Sequence, residues 1–167
     1  MNAFTHRYLI ALGSNRRHPR YGQPGAVIGA ALGELERAGI MVLERSRVVR
    51  SAPLGPSHRR FANSAALVEC SLDPSELLTL LKRVEARFGR RMRGQRWRER
   101  VIDLDIVLWS GGCWQDADLI VPHLPFRKRG FVLAPAATIA GAWRDPVTGL
   151  TLRQLHARLT RQQGITR

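Results

Sequence analysis

Carboxylates are scarce in this chain: 13 Asp and Glu stand against 27 Lys and Arg, leaving a net charge of +14 and a pI near 11.6. Lysine is rarer still. Only Lys82 and Lys128 occur, so arginine supplies nearly all of the positive charge. Such an excess suits a polyanionic partner, either nucleic acid or a small phosphorylated ligand, and arginine brings planar bidentate donors that lysine lacks. Charge alone does not choose between them. There are two cysteines, Cys70 and Cys113, without metal-site spacing, and they read as reduced thiols of a cytoplasmic protein. No apolar run approaches the roughly 20 residues of a membrane helix. The N-terminal "MNAFTHRYLIALGSN" has neither the apolar length nor the small-residue cleavage site of a signal peptide. Internal repeats, low-complexity tracts and linkers are missing too. With 44% hydrophobic and 24% charged residues, the 167 positions read as one folded domain. A Walker loop, a G-x-G-x-x-G turn and a locally spaced Ser/His/Asp or Cys/His set are all lacking.

What is present falls into a clear order. Arg7 to Leu12 is a short apolar strand ended by Gly13, Ser14 and Asn15. After a polar loop, Val27, Ala31, Leu35 and Ala38 recur at helical spacing and stop at Gly39. "IMVLERSRVVRSA" is β-rich and is broken by Pro53, Gly55 and Pro56; "FANSAALVEC" alternates as another strand. In "DPSELLTLLKRVEARFG", Asp73 is the N-cap, Pro74 sits at N1 and Glu76 at N3, with Leu77, Leu80, Leu81, Val84 and Phe88 as the apolar face. "VIDLDIVLW" is a further strand, then comes a Gly111-Gly112 turn, a looser stretch and a basic, solvated helix over about 151–163. The order β-α-β-β-α-β predicts an α+β, ferredoxin-like core over about 7–146: an antiparallel sheet with helices on one face, plus a C-terminal extension.

Two aspartates interrupt the last strand. Alternation puts Ile102, Leu104, Ile106 and Leu108 on one face, and Asp103 and Asp105 on the other with Val101 and Val107. The two aspartate Cα atoms then lie about 7 Å apart, and like charges at that separation call for a cation or arginines between them. Hard oxygen donors on a rigid strand suit Mg²⁺; neutralisation by arginine alone is the bland alternative. Just upstream, "GRRMRGQRWRER" holds Arg90, Arg91, Arg93, Arg96, Arg98 and Arg100. Six cations together do not pack in a core, so this is a loop: either plain solvated charge or a clamp for a triphosphate. Carboxylates beside an arginine loop describe phosphoryl or pyrophosphoryl transfer better than acid–base hydrolysis.

These motifs, taken with "LGSN", "SAPLGP", "FANSA", "LLKRVEARFGR", "VPH" and "RGFVLAPAATIA", resemble the 6-hydroxymethyl-7,8-dihydropterin pyrophosphokinase family along nearly the whole chain. The resemblance implies transfer of the β,γ-pyrophosphoryl group of ATP to the pterin hydroxymethyl oxygen, with release of AMP. It implies that Asp103 and Asp105 hold two Mg²⁺ ions. Arg90, Arg100, His123 and Arg129 match positions that contact phosphates, and Arg96 and Trp97 belong to a loop that closes over the site. Phe61 and Phe131 would stack on the pterin, Asn63 would bond its polar edge, and backbone around Ser51, Ala52 and Leu54 would assist. Adenine would lie near Leu78, Glu85 and Ile106. The implied protein is a cytoplasmic monomer acting on ATP and the pterin, with neither nucleic acid nor membrane as partner.

The chain also departs from the family pattern. The usual "RWGPR" reads "RWRER", Met92 stands where a phosphate-contacting arginine is common, and Asp118 and Ile120 replace a basic and a small hydroxyl residue. Ser51-Ala52 stands for Thr-Pro, and Phe61 for Tyr. Two rival readings follow: a small basic domain binding single-stranded RNA on its sheet, and a nucleotide-binding homologue impaired in catalysis by the altered loop.

Overall fold

The computed structural model describes residues 5–51, 60–89 and 101–165. Strands β1 (His6–Ser14), β2 (Met41–Arg45), β3 (Val49–Ser51), β4 (Phe61–Cys70) and β5 (Asp103–Trp109) form an antiparallel sheet in the order β2-β4-β1-β5, with β3 also paired to β4. Helices α1 (Pro24–Arg37) and α2 (Pro74–Arg87) connect them. This is the expected βαββαβ core. Both connecting helices lie on one face, over a core that includes Tyr8, Ile10, Leu12, Ala66, Leu104 and Ile106.

The helix ends follow their local chemistry. The α2 capping box forms on both sides: Glu76 N–H donates to Asp73 Oδ1, and Asp73 N–H to Glu76 Oε2, each at 2.9 Å. Gly39, at φ +90°, and Gly89, at φ +93°, take the left-handed conformation that turns the chain out of α1 and α2. Of the expected α2 face, Leu77, Leu81, Val84 and Phe88 are buried, whereas Leu80 stays half-buried.

Three features differ from the sequence expectations, each for a local reason. The β-rich run after α1 is two strands, because at the break Ser46 turns to the sheet: its N–H donates to the Ala65 carbonyl, and its hydroxyl accepts from Ala65 N–H, both at 2.9 Å. In β5 the pairing runs Leu9↔Leu108 and then Ile10↔Ile106, so a bulge at Val107 shifts the alternation. Leu108 therefore joins Val107 and Leu9 in a second core on the opposite face, and Trp109 packs toward the first. Val101 precedes the strand and also packs against the first core.

The third difference is that the C-terminal extension is ordered rather than loose. Its α3 (Gly130–Ala140) carries an internal Pro135, which hides it from propensity reasoning, yet α3 packs on β4 and β1. Helix α4 (Leu152–Ile165) docks on α3 through buried Leu152 and Leu155 instead of standing fully solvated. Trp109 and Trp114 meet edge-to-face at 5.6 Å and Trp143 packs on the second core, so these indoles serve packing. No described helix is long and apolar enough to cross a membrane.

One ion pair fixes the extension. Arg127 Nε and Nη2 each lie 2.7 Å from a carboxylate oxygen of fully buried Asp145, which also accepts from Thr148 Oγ1 at 2.6 Å. Burial pushes the Asp145 carboxyl up, but the Arg127, Thr148 and Val147 donors outweigh it and hold the group below its ordinary value. Asp145→Ala, which strands the Arg127 cation, is expected to lower stability by about 3 kcal/mol in denaturant titrations. A depressed carboxyl contributes its stability above the unfolded pKa of about 4 and loses it as pH falls through the folded value. The melting-temperature gap between wild type and Asp145→Asn, open at neutral pH, should therefore narrow in acid.

Candidate active site

Two recesses meet at the aspartate pair. The first is a floor on the sheet face opposite α1 and α2. Across the strands, Asn63 of β4, Gly13 of β1 and Asp103 of β5 stand in one row; Ala65, Ala11 and Asp105 stand in the next. Gly13, Ala11 and Ala65 carry little or no side chain, so the sheet lies low between Asn63 and the aspartates. A Cβ on Gly13 would come within 3.5 Å of Asn63 Oδ1. The buried Asn63 amide donates to Ser51 Oγ at 2.8 Å, which fixes its plane and leaves its oxygen over Gly13. Half-buried Phe61 continues the Asn63 side of β4, and half-buried Phe131 enters at the start of α3.

The second recess is a groove of about 420 Å³ along β5, between α2 and the hairpin β6 (Trp114–Gln115)–β7 (Ile120–Val121). It brings together Leu78, Glu85, Asp103, Asp105, Ile106 and His123, which the sequence had set apart as metal and nucleotide residues. Buried Glu85 accepts the Leu104 N–H at 2.8 Å. Asp118 and Ile120, the departures from the family pattern, also line this groove. In a chain of net charge +14, its lining gathers Asp103, Asp105, Asp116 and Asp118 against the single lysine Lys82, with the Glu85 carboxylate buried on the Leu104 N–H. Here a cation is attracted and a bare polyphosphate is not.

The hairpin rim is held by Asp116, which sequence reasoning missed. Its carboxylate accepts from the Ser75 hydroxyl, from Trp114 Nε1 at 2.8 Å and from the backbone N–H groups of Asp118 and Leu119. The Ser75 and Trp114 donors, followed by the backbone, hold the carboxyl far below its usual range. Gly13 and Ala11 were missed as well; small residues at alternate positions of one strand were the available signal. Arg90, Arg96, Trp97, Arg100, Ala52 and Leu54 lie outside the described residues.

His123 links the recesses. Its backbone N–H donates to the Val107 carbonyl at 3.1 Å, and its ring Nε2 stands 4.0 Å from Asp105 Oδ2. Arg129 sits with its guanidinium 5.7 Å from the Phe131 ring centre. Burial, and then the Arg129 cation, push the His123 pKa below its ordinary value, against the pull of Asp103. The contact with Asp105 is thus polar rather than ionic at neutral pH. As pH falls, the unfolded imidazole takes up its proton before the folded one, so stability is lost from about pH 6.5 downward. Thermal melts should show wild type losing more stability than His123→Asn across that interval.

Sheet residues Asp103, Asp105 and Asn63 oppose an RNA-binding role: the aspartates repel a phosphate backbone, and α3 with α4 covers much of the remaining face.

The chain is similar to known proteins along most of its length. Residues 9–141 match the model of the 7,8-dihydro-6-hydroxymethylpterin-pyrophosphokinase (HPPK) family. The chain is 36% identical over 155 residues to the 2-amino-4-hydroxy-6-hydroxymethyldihydropteridine pyrophosphokinase of Methylorubrum extorquens, covering 92% of this chain and 93% of that one. It is 38% identical over 147 residues to the protein of the same name from Pseudomonas aeruginosa, covering 84% of each. The Synechocystis protein of that name is 36% identical over 150 residues, which span 90% of this chain and 74% of the relative. Among solved structures, Plasmodium falciparum HPPK-DHPS superposes with a TM-score of 0.77 at 12% identity, over 98% of this chain and 42% of that longer one. That likeness shows the fold. The family match over most of the chain, the close relatives and the fold together establish that the chain belongs to the 7,8-dihydro-6-hydroxymethylpterin-pyrophosphokinase family.

Proposed function

We propose that this chain transfers the β,γ-pyrophosphoryl group of ATP to the hydroxymethyl oxygen of 6-hydroxymethyl-7,8-dihydropterin, giving the pterin diphosphate and AMP, a step of folate biosynthesis. The observation that carries the reading is the placement of Asp103 and Asp105 where the β5 groove meets the low sheet floor. One recess suits a nucleotide and the other a flat heterocycle, and the reacting oxygens meet between them.

The donor set fits Mg²⁺. That ion takes one or two protein carboxylates and completes its octahedron with water and phosphate oxygens. Among the described residues no group of three or more His, Cys, Asp and Glu forms a closed cage that would exclude them. We assign two Mg²⁺ ions to Asp103 and Asp105, whose carboxylates would hold them; bound there, the ions would supply charge neutralisation for the triphosphate.

The protein residues then act mainly by positioning. Leu78 and Ile106 flank the adenine side of the groove, and neutral His123 donates one ring N–H to a phosphate oxygen while Arg129 adds charge. Asn63, oriented by Ser51, bonds the polar edge of the pterin above Gly13, and Phe61 and Phe131 cover its faces. The roles of Arg90, Arg96, Trp97 and Arg100 toward the phosphates, and of Ala52 and Leu54 toward the pterin, rest on the family resemblance alone. Asp118 and Ile120 remove a cation and a hydroxyl from the nucleotide side, which weakens ATP binding without touching the metal pair. We further assign a single-domain monomer of the cytoplasm, where buried Cys70 and exposed Cys113 stay reduced.

Purified protein supplied with Mg²⁺, ATP and the pterin should release AMP only when the pterin is present, with no ADP. Asp103→Asn is expected to lower kcat by about 10² to 10³ at an unchanged melting temperature. ATP and Mg²⁺ binding without AMP would instead identify an impaired homologue. Gly13→Val fills the floor in a residue that strands tolerate well; it should raise KM for the pterin more than tenfold, about 1.4 kcal/mol of lost binding, with KM for ATP little changed.

A further inference from the structure

Glu85 is buried to 2% exposure on α2, and its Oε1 accepts the backbone N–H of Leu104 at 2.8 Å. Leu104 is the residue between Asp103 and Asp105. β5 ends the strand order, and on that open edge the Leu104 N–H points away from β1 and toward α2. A strand held on one side is free to twist, and twist at this point turns both aspartate side chains. α2 is itself fixed, by the capping box at its start and by Leu77, Leu81, Val84 and Phe88 in the core. The Glu85 carboxylate therefore ties the backbone between the two aspartates to a rigid helix.

We propose that Glu85 is a positioning residue for the aspartate pair: its hydrogen bond to Leu104 sets the orientation in which Asp103 and Asp105 receive a divalent cation. This rests on the pyrophosphoryl-transfer reading and reassigns Glu85 from nucleotide neighbour to part of the support of the cation site. The chemistry needed is a hydrogen-bond acceptor at Oε1, not a negative charge. Outer hydrogen bonds of this kind are worth about 10- to 100-fold in metal affinity or activity when removed.

The test uses the full chain with Glu85→Gln, which keeps a carbonyl acceptor, and Glu85→Leu, which keeps the bulk and removes it. Three quantities are read well below each variant's melting temperature: hydrogen exchange of the Leu104 amide by NMR, Mn²⁺ affinity by EPR with a non-hydrolysable ATP analogue, and the split between kcat and KM. Glu85→Leu should speed exchange at Leu104, weaken Mn²⁺ by about 10- to 100-fold and lower kcat, with KM for the pterin unchanged. Glu85→Gln should keep wild-type values in all three. A Glu85→Leu protein that melts lower but binds Mn²⁺ normally would show a merely structural carboxylate and overturn the proposal. So would a rise in KM for ATP alone, which marks a nucleotide contact, or a Glu85→Gln loss equal to that of Glu85→Leu, which marks charge. If Glu85→Leu does not fold, Glu85→Gln alone decides: faster Leu104 exchange or weaker Mn²⁺ binding counts against the proposal. Wild type that binds Mn²⁺ but makes no AMP would sink the pyrophosphoryl reading, and exchange and Mn²⁺ affinity would still decide the role of Glu85.

Discussion

Mutual repulsion between Asp103 and Asp105 is the constraint around which the site is organised. Two carboxylates one pleat apart on a strand cost free energy unless something positive lies near them, and His123, whose pKa burial and Arg129 push down, stands 4.0 Å from Asp105. Such a pair is the kind of oxygen donor set that a hard divalent cation prefers. Its place on the last strand of the sheet leaves the pair open on two sides, along the groove beside α2 and over the floor above Gly13. Burial of the same carboxylates in a central strand would have demanded internal compensation and removed both approaches.

The fold was legible wherever local and global signals agreed. Asp73, Pro74 and Glu76 announced α2, and the capping box forms as read. The pleat placed the aspartates on the face opposite the helices, as the register confirms. Legibility failed where tertiary context overrides a local rule. Pro135 argues against a helix, yet α3 forms because its apolar residues cover β4 and β1. Leu108 is displaced by a bulge, which depends on pairing with Leu9 and Ile10 rather than on any residue of β5. Much of the site came from motif order and not from chemistry alone: a bare Asp-x-Asp is a weak signal, and Asn63 acquires meaning only beside Ser51 and Gly13.

Charge is distributed unevenly enough to matter. From Leu119 to Arg167 the only carboxylate is Asp145, and it is buried against Arg127. The extension thus presents no exposed acid, while carboxylates collect around the β5 groove. An anion therefore meets a positive molecule at long range and acidic side chains at this groove, an arrangement that favours ligands whose charge is already neutralised.

The bulge at Val107 works as a phase shifter in β5. Ahead of it, the strand shows Asp103 and Asp105 to the open face and Leu104 and Ile106 to the helices; beyond it, Leu108 faces α3 and Trp109 faces the helices. Without the extra residue, strict alternation would have sent Leu108 to the helix side and Trp109 into the second core. One inserted residue lets a single strand serve an open, acidic face and a dry packing face in sequence. The two halves of β5 are thereby decoupled, and the packing half can vary in side-chain size without rotating the Asp103 and Asp105 carboxylates.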